Sequence, residues 1–526
     1  MARSVAGFGA HPSGNMIQAT SGQPLEPQPV FRWLLWCGVV VLAFVQAFVS
    51  FRGLDSAAGM EQAQAAREVA RGNFTGTKVV HPMMLKQMAG AEKPVSAALS
   101  RDAAQPPLPV LVLAPVMKAA ESWWSFDSSR RVYVMDRAVA CLGVFWFVMT
   151  LVLVHGMARR LFDTVVANFT VLVLALCMPF WEVSTGGSSR ALLLFLGAIY
   201  LHRLLEAVRR GHEDEVMGFG LPFALMLTAM LMSLTHWMAP WLLAALGIGA
   251  WLFIPAGGSV AFCTLAGLAA GLVLIVLRNY HLLGEPLGVY KALLLGCVTP
   301  EAAEQHLRDF AGVAPGFYFS QLIQKLNSNL KDVFGHVYPL FMGSIPALAG
   351  FISLLHRFRN PVVNTFRNVA FTGWVGVLAG SVIFGGQRDE VGDMQIHLVL
   401  VPVFTMLGLA VLAVLWARLQ TDRRTLWREH GVVILAVFIS GWPMASGLYQ
   451  GITAGMFFKD RLAHWPPYMP NRTALLTAMV EPQEIIVTDQ PWAVAWYADR
   501  AALWLPKDPG QFGAIHKLAA AEERAV

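Results

Sequence analysis

Charged residues are scarce in this sequence. Only 14% of its 526 residues are charged, while 56% are hydrophobic, whereas a soluble domain carries roughly a quarter charged residues. The mean hydropathy is +0.53. A deficit of this size excludes a water-soluble core, and the apolar residues occur in blocks long enough to cross a bilayer, which takes about 20 residues of helix. The composition therefore predicts an integral membrane protein.

Cysteines and soluble-enzyme motifs are also sparse. The five cysteines show no disulfide framework and no C-x-x-C spacing of the kind that binds metals. No Walker loop, nucleophile elbow, H-E-x-x-H or dinucleotide fingerprint stands in a suitable context. We therefore expect no nucleotide donor and no certain cofactor, although a divalent metal stays open. The net charge of +6 does not indicate nucleic acid, because many of the arginines lie between apolar blocks.

Eleven apolar blocks are predicted to span the membrane as helices. They lie at 31–50, 136–155, 163–180, 190–205, 217–234, 238–255, 259–277, 338–355, 369–385, 395–416 and 432–449. Every second connection is rich in arginine, as positive-inside bias requires if these connections are cytoplasmic. The amino end is then cytoplasmic and the carboxyl end lies outside. The predicted fold is an all-α polytopic membrane protein.

The predicted domains follow from these spans. Residues 1–30 form a disordered cytoplasmic leader, and residues 31–455 form the transmembrane domain with large extracytoplasmic loops at 51–135 and 278–337. Residues 456–526 form a small extracytoplasmic α/β tail. Its strand, short helix and second strand are expected at Glu484–Thr488, Trp492–Asp499 and Ala502–Leu505.

Chemistry is expected in the outer loops rather than in the membrane. The apolar interiors of the predicted spans contain no Asp, Glu, Lys or Arg. Transporters and pumps usually need ionisable groups at membrane depth. Their absence disfavours a transporter or lipid flippase, which nevertheless stays the alternative from a different functional class.

Four stretches of the chain resemble one family of membrane enzymes. Met60–Arg67 (MEQAQAAR) is similar to an acidic helix that ends in Ala-Arg, and Gln105–Leu111 (QPPLPVL) is similar to a PPLYYLLLA run. His397–Pro402 (HLVLVP) resembles RYLLP, and Trp496–Arg500 (WYADR) resembles YSGR. In this order they resemble the C-type glycosyltransferases, nearest to the protein mannosyltransferase and lipid A aminoarabinose transferase group. The family's acidic pair would align best with Ala58 and Gly59.

The resemblance implies a glycosyltransferase that takes a hexose or pentose from a polyprenyl-phosphate donor. The acceptor, a glycolipid, polysaccharide or protein, would lie outside the cytoplasm, and a bacterial inner membrane is the expected location. Membrane lipids are expected partners, while the oligomeric state stays open. An inactive member of the same fold, acting as an assembly subunit, is the second alternative.

The candidate site residues follow from the chemistry of such a transfer. A carboxylate near the outer interface would remove the acceptor's proton, and the candidates are Glu61 and Asp55. Asp55 or Ser56 can cap the start of the helix. Glu61 is preferred as the base, because the oxygens of Asp55 at the helix start would be held by backbone N–H groups. The residues expected to bind the lipid phosphate and sugar are Lys86, Arg278, Arg388, Asp393, His397, His236 and Trp237. Interfacial anchoring and an aromatic belt are the ordinary alternatives for Arg278, His236 and Trp237.

Overall fold

The structure is a computed structural model in which most of the described residues are helical. It describes residues 29–91, 100–101, 103–124, 132–187, 189–288, 307–310, 319–342, 344–384, 394–419, 426–457 and 469–523. The first eleven helices are α1 (Pro29–Phe44), α2 (Ala57–Ala70), α3 (Pro82–Gly90), α4 (Pro107–Ala119), α5 (Val134–Leu161), α6 (Thr164–Leu176), α7 (Met178–Thr185), α8 (Arg190–His212), α9 (Gly220–Ser233), α10 (Ala239–Phe253) and α11 (Gly258–Leu283).

The remaining helices belong to the second half of the chain and to the tail. They are α12 (Phe319–Met342), α13 (Ile345–Ile352), α14 (Pro361–Phe384), α15 (Val401–Leu419), α16 (Leu426–Phe457), α17 (Pro470–Ala474), α18 (Leu476–Met479), α19 (Pro491–Ala493) and α20 (Pro509–Glu523). The short strands are β1 (Gly76–Thr77), β2 (Val79–Val80), β3 (Ser100–Arg101), β4 (Ile485–Thr488) and β5 (Ala501–Trp504).

The helices confirm a polytopic membrane protein. Within the described ranges, seven helices are long and apolar enough to cross a membrane, or eight if the bent pair α6–α7 is one span. Three further predicted spans correspond to apolar helices that are shorter, at Gly220–Ser233, Ala239–Phe253 and Ile345–Leu355. Every predicted span therefore coincides with an apolar helix or a bent pair, and the count of eleven stays a prediction.

Two predicted spans are interrupted, and proline explains both breaks. The chain bends by 60° between α6 and α7, where Pro179 occupies the first turn of α7. The predicted span 338–355 is wrong as one continuous helix, because α12 ends at Met342 and α13 starts afresh with Pro346 in its first turn. Proline lacks a backbone N–H and its ring clashes with the preceding turn, so it starts a helix rather than continuing one.

Small residues allow the spans to pack closely. A Cβ on Gly143 of α5 would lie 2.0 Å from the carbonyl oxygen of Ser184, and one on Gly408 of α15 would lie 1.7 Å from that of Pro346. Close backbone approach through small residues is the usual packing mode of membrane helices. Such contacts hold neighbouring helices of the bundle together.

The first outer loop and the tail share a parallel sheet. Strand β5 of the tail lies in the middle, between β2 of the first loop and β4 of the tail. The register pairs Val79 with Ala502 and Val80 with Leu503. The two tail strands lie within one residue of their predicted positions, and α19 continues as a π-helix (Val494–Ala498), so that the helical segment ends one residue before its predicted end. The central strand β5 is thus separated by about 420 residues of sequence from β2, its neighbour in the sheet.

Candidate functional site

Helix α2 carries the acidic stretch and is enclosed by its surroundings. Its sequence is rich in good helix formers, and the Ser56 side chain caps it by accepting a hydrogen bond from the N–H of Gly59. All residues from Ala57 to Glu68 are buried. Of the two residues predicted to cap this helix, Asp55 and Ser56, it is Ser56 whose side chain accepts this bond.

Glu61 lies in a buried polar cluster. His81 Nε2 is 2.8 Å from Glu61 Oε1, and Gln105 donates from Nε2 to Glu61 Oε2 at 2.9 Å. Gln62 donates in turn to Gln105 Oε1. Glu61 is only 4% exposed and His81 2%. Both carboxylate oxygens therefore accept internal hydrogen bonds.

Asp55 lies at a more open position, near a second carboxylate. Asp55 is half-buried and Glu182 of α7 is exposed, and the two carboxylates interact electrostatically. The turn between them begins at Gly186, whose N–H donates to the carbonyl of Glu182. A Cβ on Gly186 would lie 3.4 Å from Asp55 Oδ1. Two carboxylates from distant parts of the chain thus flank one glycine turn.

The same turn explains why acids are missing from the first turn of α2. A Cβ on Gly59 would lie 2.1 Å from the carbonyl oxygen of Gly186, so no side chain fits there. Its neighbour Ala58 is 5% exposed. Ala58 and Gly59, which align best with the family's acidic pair, are therefore closely packed and leave no room for acidic side chains. The nearby acidic residues are Asp55 and Glu182.

Several predicted binding residues join the first loop to the bundle. Arg278 donates from Nη1 to the carbonyl of Gln105 at 3.0 Å, and Trp237 donates from Nε1 to the carbonyl of Ala104 at 3.1 Å. Trp237 is 3% exposed, so it is neither a sugar platform nor part of a lipid-facing belt. Both roles considered for Trp237 are corrected to loop packing, because its ring is enclosed.

His236 is likewise turned inward. It is 6% exposed, and its Nδ1 accepts a hydrogen bond from the N–H of Met238. Burial, together with the nearby charge of Arg190, lowers the pKa of His236 to about 3. The imidazole is therefore neutral at physiological pH. The expectation that His236 stacks against a sugar is corrected to a packing role before α10, because its ring is enclosed.

The remaining predicted residues are placed apart from these. Lys86 is exposed, and its Nζ lies 5.5 Å from the centre of the Phe310 ring. His397 is fully buried and faces the hydroxyl of Ser381 at 3.3 Å, so a ligand outside the helices does not reach it. Arg388 and Asp393 lie outside the described residues. Lys86 and Arg278 are thus the predicted phosphate-binding cations that lie among the described residues.

The tail motif forms a charged cluster against α2. Asp499 accepts from Arg71 at 2.6 Å and from Lys78 at 2.7 Å, and lies 3.0 Å from Arg67. Burial would raise the pKa of Asp499, but these three cations outweigh burial and hold that pKa well below its usual range. Asp499 has φ +53°, the left-handed conformation that a glycine adopts readily and Asp tolerates. It stands where the YSGR motif has its glycine.

Four residues of this region were missed by sequence reasoning. Asp136 was treated as a span boundary, although an acid at the start of a long apolar block is a recognisable signal. His81 stands directly before a proline that begins α3, and Glu182 stands between two predicted spans. Arg67 was read only as the end of a motif. Nothing in the sequence alone connects these residues, because they meet only through contacts between distant segments.

A metal would have to be held by few protein ligands. Among the described residues, no group of three or more His, Cys, Asp or Glu side chains is arranged to hold a metal ion. Asp55 and Glu182 form a pair. Mg²⁺ is commonly bound through one or two carboxylates, completed by water and substrate phosphates. A divalent cation at this pair would therefore need water and a substrate phosphate as its other ligands.

Comparisons with known proteins identify the fold. No protein-family model and no curated protein matches the chain. The structure is similar to ArnT from Cupriavidus metallidurans in the apo state, with a TM-score of 0.50 and 15% identity, covering 93% of this chain and 88% of that one. It is also similar to the oligosaccharyltransferase of Archaeoglobus fulgidus solved with Zn and sulfate, with a TM-score of 0.50 and 12% identity.

The extent of these matches limits what they establish. The chain covers 62% of the archaeal oligosaccharyltransferase, while 90% of this chain is matched. At 12–15% identity the likeness shows a shared fold. The predicted resemblance to C-type glycosyltransferases is confirmed at that level.

Proposed function

We propose that the chain is a membrane glycosyltransferase that moves a sugar from a polyprenyl-phosphate donor to an acceptor outside the cytoplasm. The carboxylate pair Asp55–Glu182 carries this proposal, because it stands at the loop-bearing end of a bundle whose fold is shared with two transferases. The proposal covers a hexose or a pentose as the transferred sugar.

The proposed chemistry assigns one role to each kind of group. An acceptor hydroxyl or amine attacks the anomeric carbon, and the bond to the lipid phosphate breaks. Asp55 removes the acceptor's proton, a contribution typically of about 10²–10⁴-fold. Arg278 and Lys86 supply positive charge for the departing phosphate. A divalent cation held by Asp55 and Glu182 would supply further charge stabilisation when bound.

Asp55 is preferred to Glu61 because its carboxylate is more exposed. A general base must come within hydrogen-bond reach of the proton that it removes. Glu61 is 4% exposed, with both oxygens engaged by His81 and Gln105, whereas Asp55 is half-buried beside an exposed carboxylate. We assign Glu61 a structural role: it accepts a hydrogen bond from Gln105, the residue before the Pro-Pro run, and so fixes the position of that side chain.

The membrane arrangement forms part of the proposal. Eleven spans are proposed, with the amino end in the cytoplasm and the tail outside, in a bacterial inner membrane. In support, segments that the alternating topology assigns to the outer side are in contact: Arg278 with Gln105, Trp237 with Ala104, and Arg67 with Trp496. The arginine-rich connections predicted to be cytoplasmic lie in the other set of loops.

Transfer by the purified protein from synthetic polyprenyl-phosphate sugars tests the function. The protein would be assayed in lipid nanodiscs with mixed hydroxyl and amine acceptors, with and without EDTA. Asp55→Asn should lower the rate about 10²–10⁴-fold, and Glu182→Gln should raise the divalent-cation concentration needed for half-maximal rate. Glu121→Gln is the matched control, because Glu121 is an exposed first-loop acid that pairs with Lys118.

The outcomes separate the alternatives. Full activity in Asp55→Asn together with loss in Glu61→Gln would reverse the assignment of the base. No transfer by the wild-type protein from any hexosyl or pentosyl donor, with normal donor-lipid binding, would favour an inactive member of the fold. A transfer rate that is unchanged by EDTA would contradict the proposed metal and would leave the assignment of Asp55 as the base unaffected.

A further inference from the structure

A buried carboxylate outside the proposed catalytic pair connects three parts of the molecule. Asp136, in the first turn of α5, has 0% exposure. Its Oδ1 accepts a hydrogen bond from Trp496 Nε1 at 2.7 Å, and its Oδ2 accepts one from the Tyr497 hydroxyl at 3.0 Å. Oδ2 also lies 3.5 Å from the backbone N of Leu54, a long contact. Two of these donors belong to the tail and one belongs to the turn before α2.

The Leu54 turn is tightly enclosed. Leu54 has 0% exposure, and a Cβ on Gly187 would lie 2.8 Å from Leu54 Cδ2 and 2.9 Å from Val139 Cγ1. Gly53 has φ +140°, a conformation that residues with a side chain rarely adopt. The backbone of this turn is therefore set by packing against α5 and the glycine turn. The next residue is Asp55.

We propose that Asp136 is a positioning residue, which couples the docked tail to the turn that carries Asp55. This inference rests on the proposed function for its catalytic consequence. Asp136 itself lies behind Leu54 and is enclosed by Trp496 and Tyr497, so it does not touch substrate. A carboxylate can accept from both sides at once, which suits a group that must bind tail donors and a backbone N–H together.

Burying a carboxylate is costly unless it is hydrogen-bonded. All three donors to Asp136 are neutral groups, and α5 adds the favourable field of a helix N-terminus. An apolar residue of similar size would pack against Trp496 without that cost. The presence of a carboxyl group here is accounted for by its directional hydrogen bonds, which fix the positions of the tail and the turn relative to α5.

Helix α2 holds the tail segment that donates to Asp136. Arg67 of α2 donates to the carbonyls of Ala495 and Trp496 at 2.8 and 3.1 Å, and its guanidinium lies 4.8 Å from the centre of the Trp496 ring. Trp496 is therefore held by α2 on one side and by Asp136 on the other. A displacement of about 1 Å at a reacting group can cost roughly 10²-fold in rate, so small shifts of this turn are sufficient.

Two isosteric variants test the coupling in the full-length protein. Asp136→Asn replaces one acceptor oxygen by a donor that opposes the Tyr497 hydroxyl and the Leu54 N–H. Tyr497→Phe removes one donor and leaves the Trp496 bond intact. Thr477→Val is the matched control, because Thr477 donates to the carbonyl of Ala498 in the same tail segment without contacting Asp136.

The expected result is a loss of kcat with an unchanged donor KM. We expect kcat to fall about 10²-fold in Asp136→Asn and about tenfold in Tyr497→Phe, with KM within threefold of wild type and Thr477→Val unchanged. The pH dependence of kcat should keep its acidic limb in Asp136→Asn, because the base is still present. Loss of that limb would make Asp136 the base and overturn its positioning role.

Hydrogen exchange measures the coupling without any substrate. Exchange at the amides of Leu54 and Asp55 should rise at least tenfold in Tyr497→Phe and stay at the wild-type rate in Thr477→Val. Unchanged exchange and unchanged kcat in Tyr497→Phe would overturn the inference, even if Asp136→Asn fails to fold. Raised exchange with no transfer by the wild-type protein would keep the coupling and reject only the proposed function.

Discussion

Replacing Arg67 by methionine should loosen the tail from the first loop. Arg67 is 1% exposed and donates to two tail carbonyls, each of which would lose its partner at a cost of about 1–3 kcal/mol. Removing one member of a buried ion pair costs about 3–5 kcal/mol. Asp499 keeps Arg71 and Lys78 at 2.6 and 2.7 Å, so its charge stays compensated. We therefore expect a loss of about 3 kcal/mol, below the sum of these costs.

Native-state hydrogen exchange of β5 measures this loss directly. A change of about 3 kcal/mol raises the opening equilibrium roughly hundredfold, since 1.4 kcal/mol is tenfold. Arg71→Met is the graded comparison, because Arg71 is 26% exposed and a partly exposed pair contributes about 1 kcal/mol or less. A rise of less than threefold in Arg67→Met, or an equal rise in both variants, would refute the assignment of Arg67 as the main tail anchor.

Three further predictions concern topology, packing and pH. A single cysteine at Glu481 should react with an impermeant thiol reagent only from outside, and one at Asp214 only from inside. The reverse pattern would overturn the proposed orientation. Gly59→Ala should abolish transfer or folded yield, because its Cβ would lie 2.1 Å from a backbone oxygen, while Gly90→Ala, with nothing within 4 Å, should be neutral. Because the pKa of Asp499 is lowered on folding, its ion pairs stabilise docking above about pH 4 and this stabilisation is lost as the pH falls further; the acid-induced rise in tail proteolysis should be absent in Asp499→Asn.

The positions of the helices were predictable because bilayer length and hydropathy are local properties. Each predicted span coincides with an apolar helix, and errors occur where proline acts. Pro346 starts α13 afresh, so the predicted span 338–355 divides. Pro179 similarly begins α7 after the bend. Hydropathy averaged over a window is insensitive to a single proline, whereas the missing backbone N–H of that proline interrupts the helix.

The site was less predictable because it is built from contacts across the whole chain. Asp55 was identified, yet it was ranked below Glu61 on an expected cap that Ser56 supplies instead. Glu182 meets Asp55 only because Gly59 packs onto Gly186. Spacing within a helix predicts neighbours three or four residues apart, and carries no information on partners more than a hundred residues away.

The sheet links completion of the tail to the order of the proposed site. Strand β5 lies between β2 and β4, so β2 has no strand beside it until the last part of the chain has been made. The same segment covers His81 through Trp504, at 5.5 Å between ring centres, and supplies the donors to Asp136. Parallel pairing between distant strands forms late in folding, because the entropy of closing the long loop is lost before the stabilising contacts form. If Asp136 couples the tail to the turn as proposed, the turn that carries Asp55 reaches its final geometry only after the tail has docked.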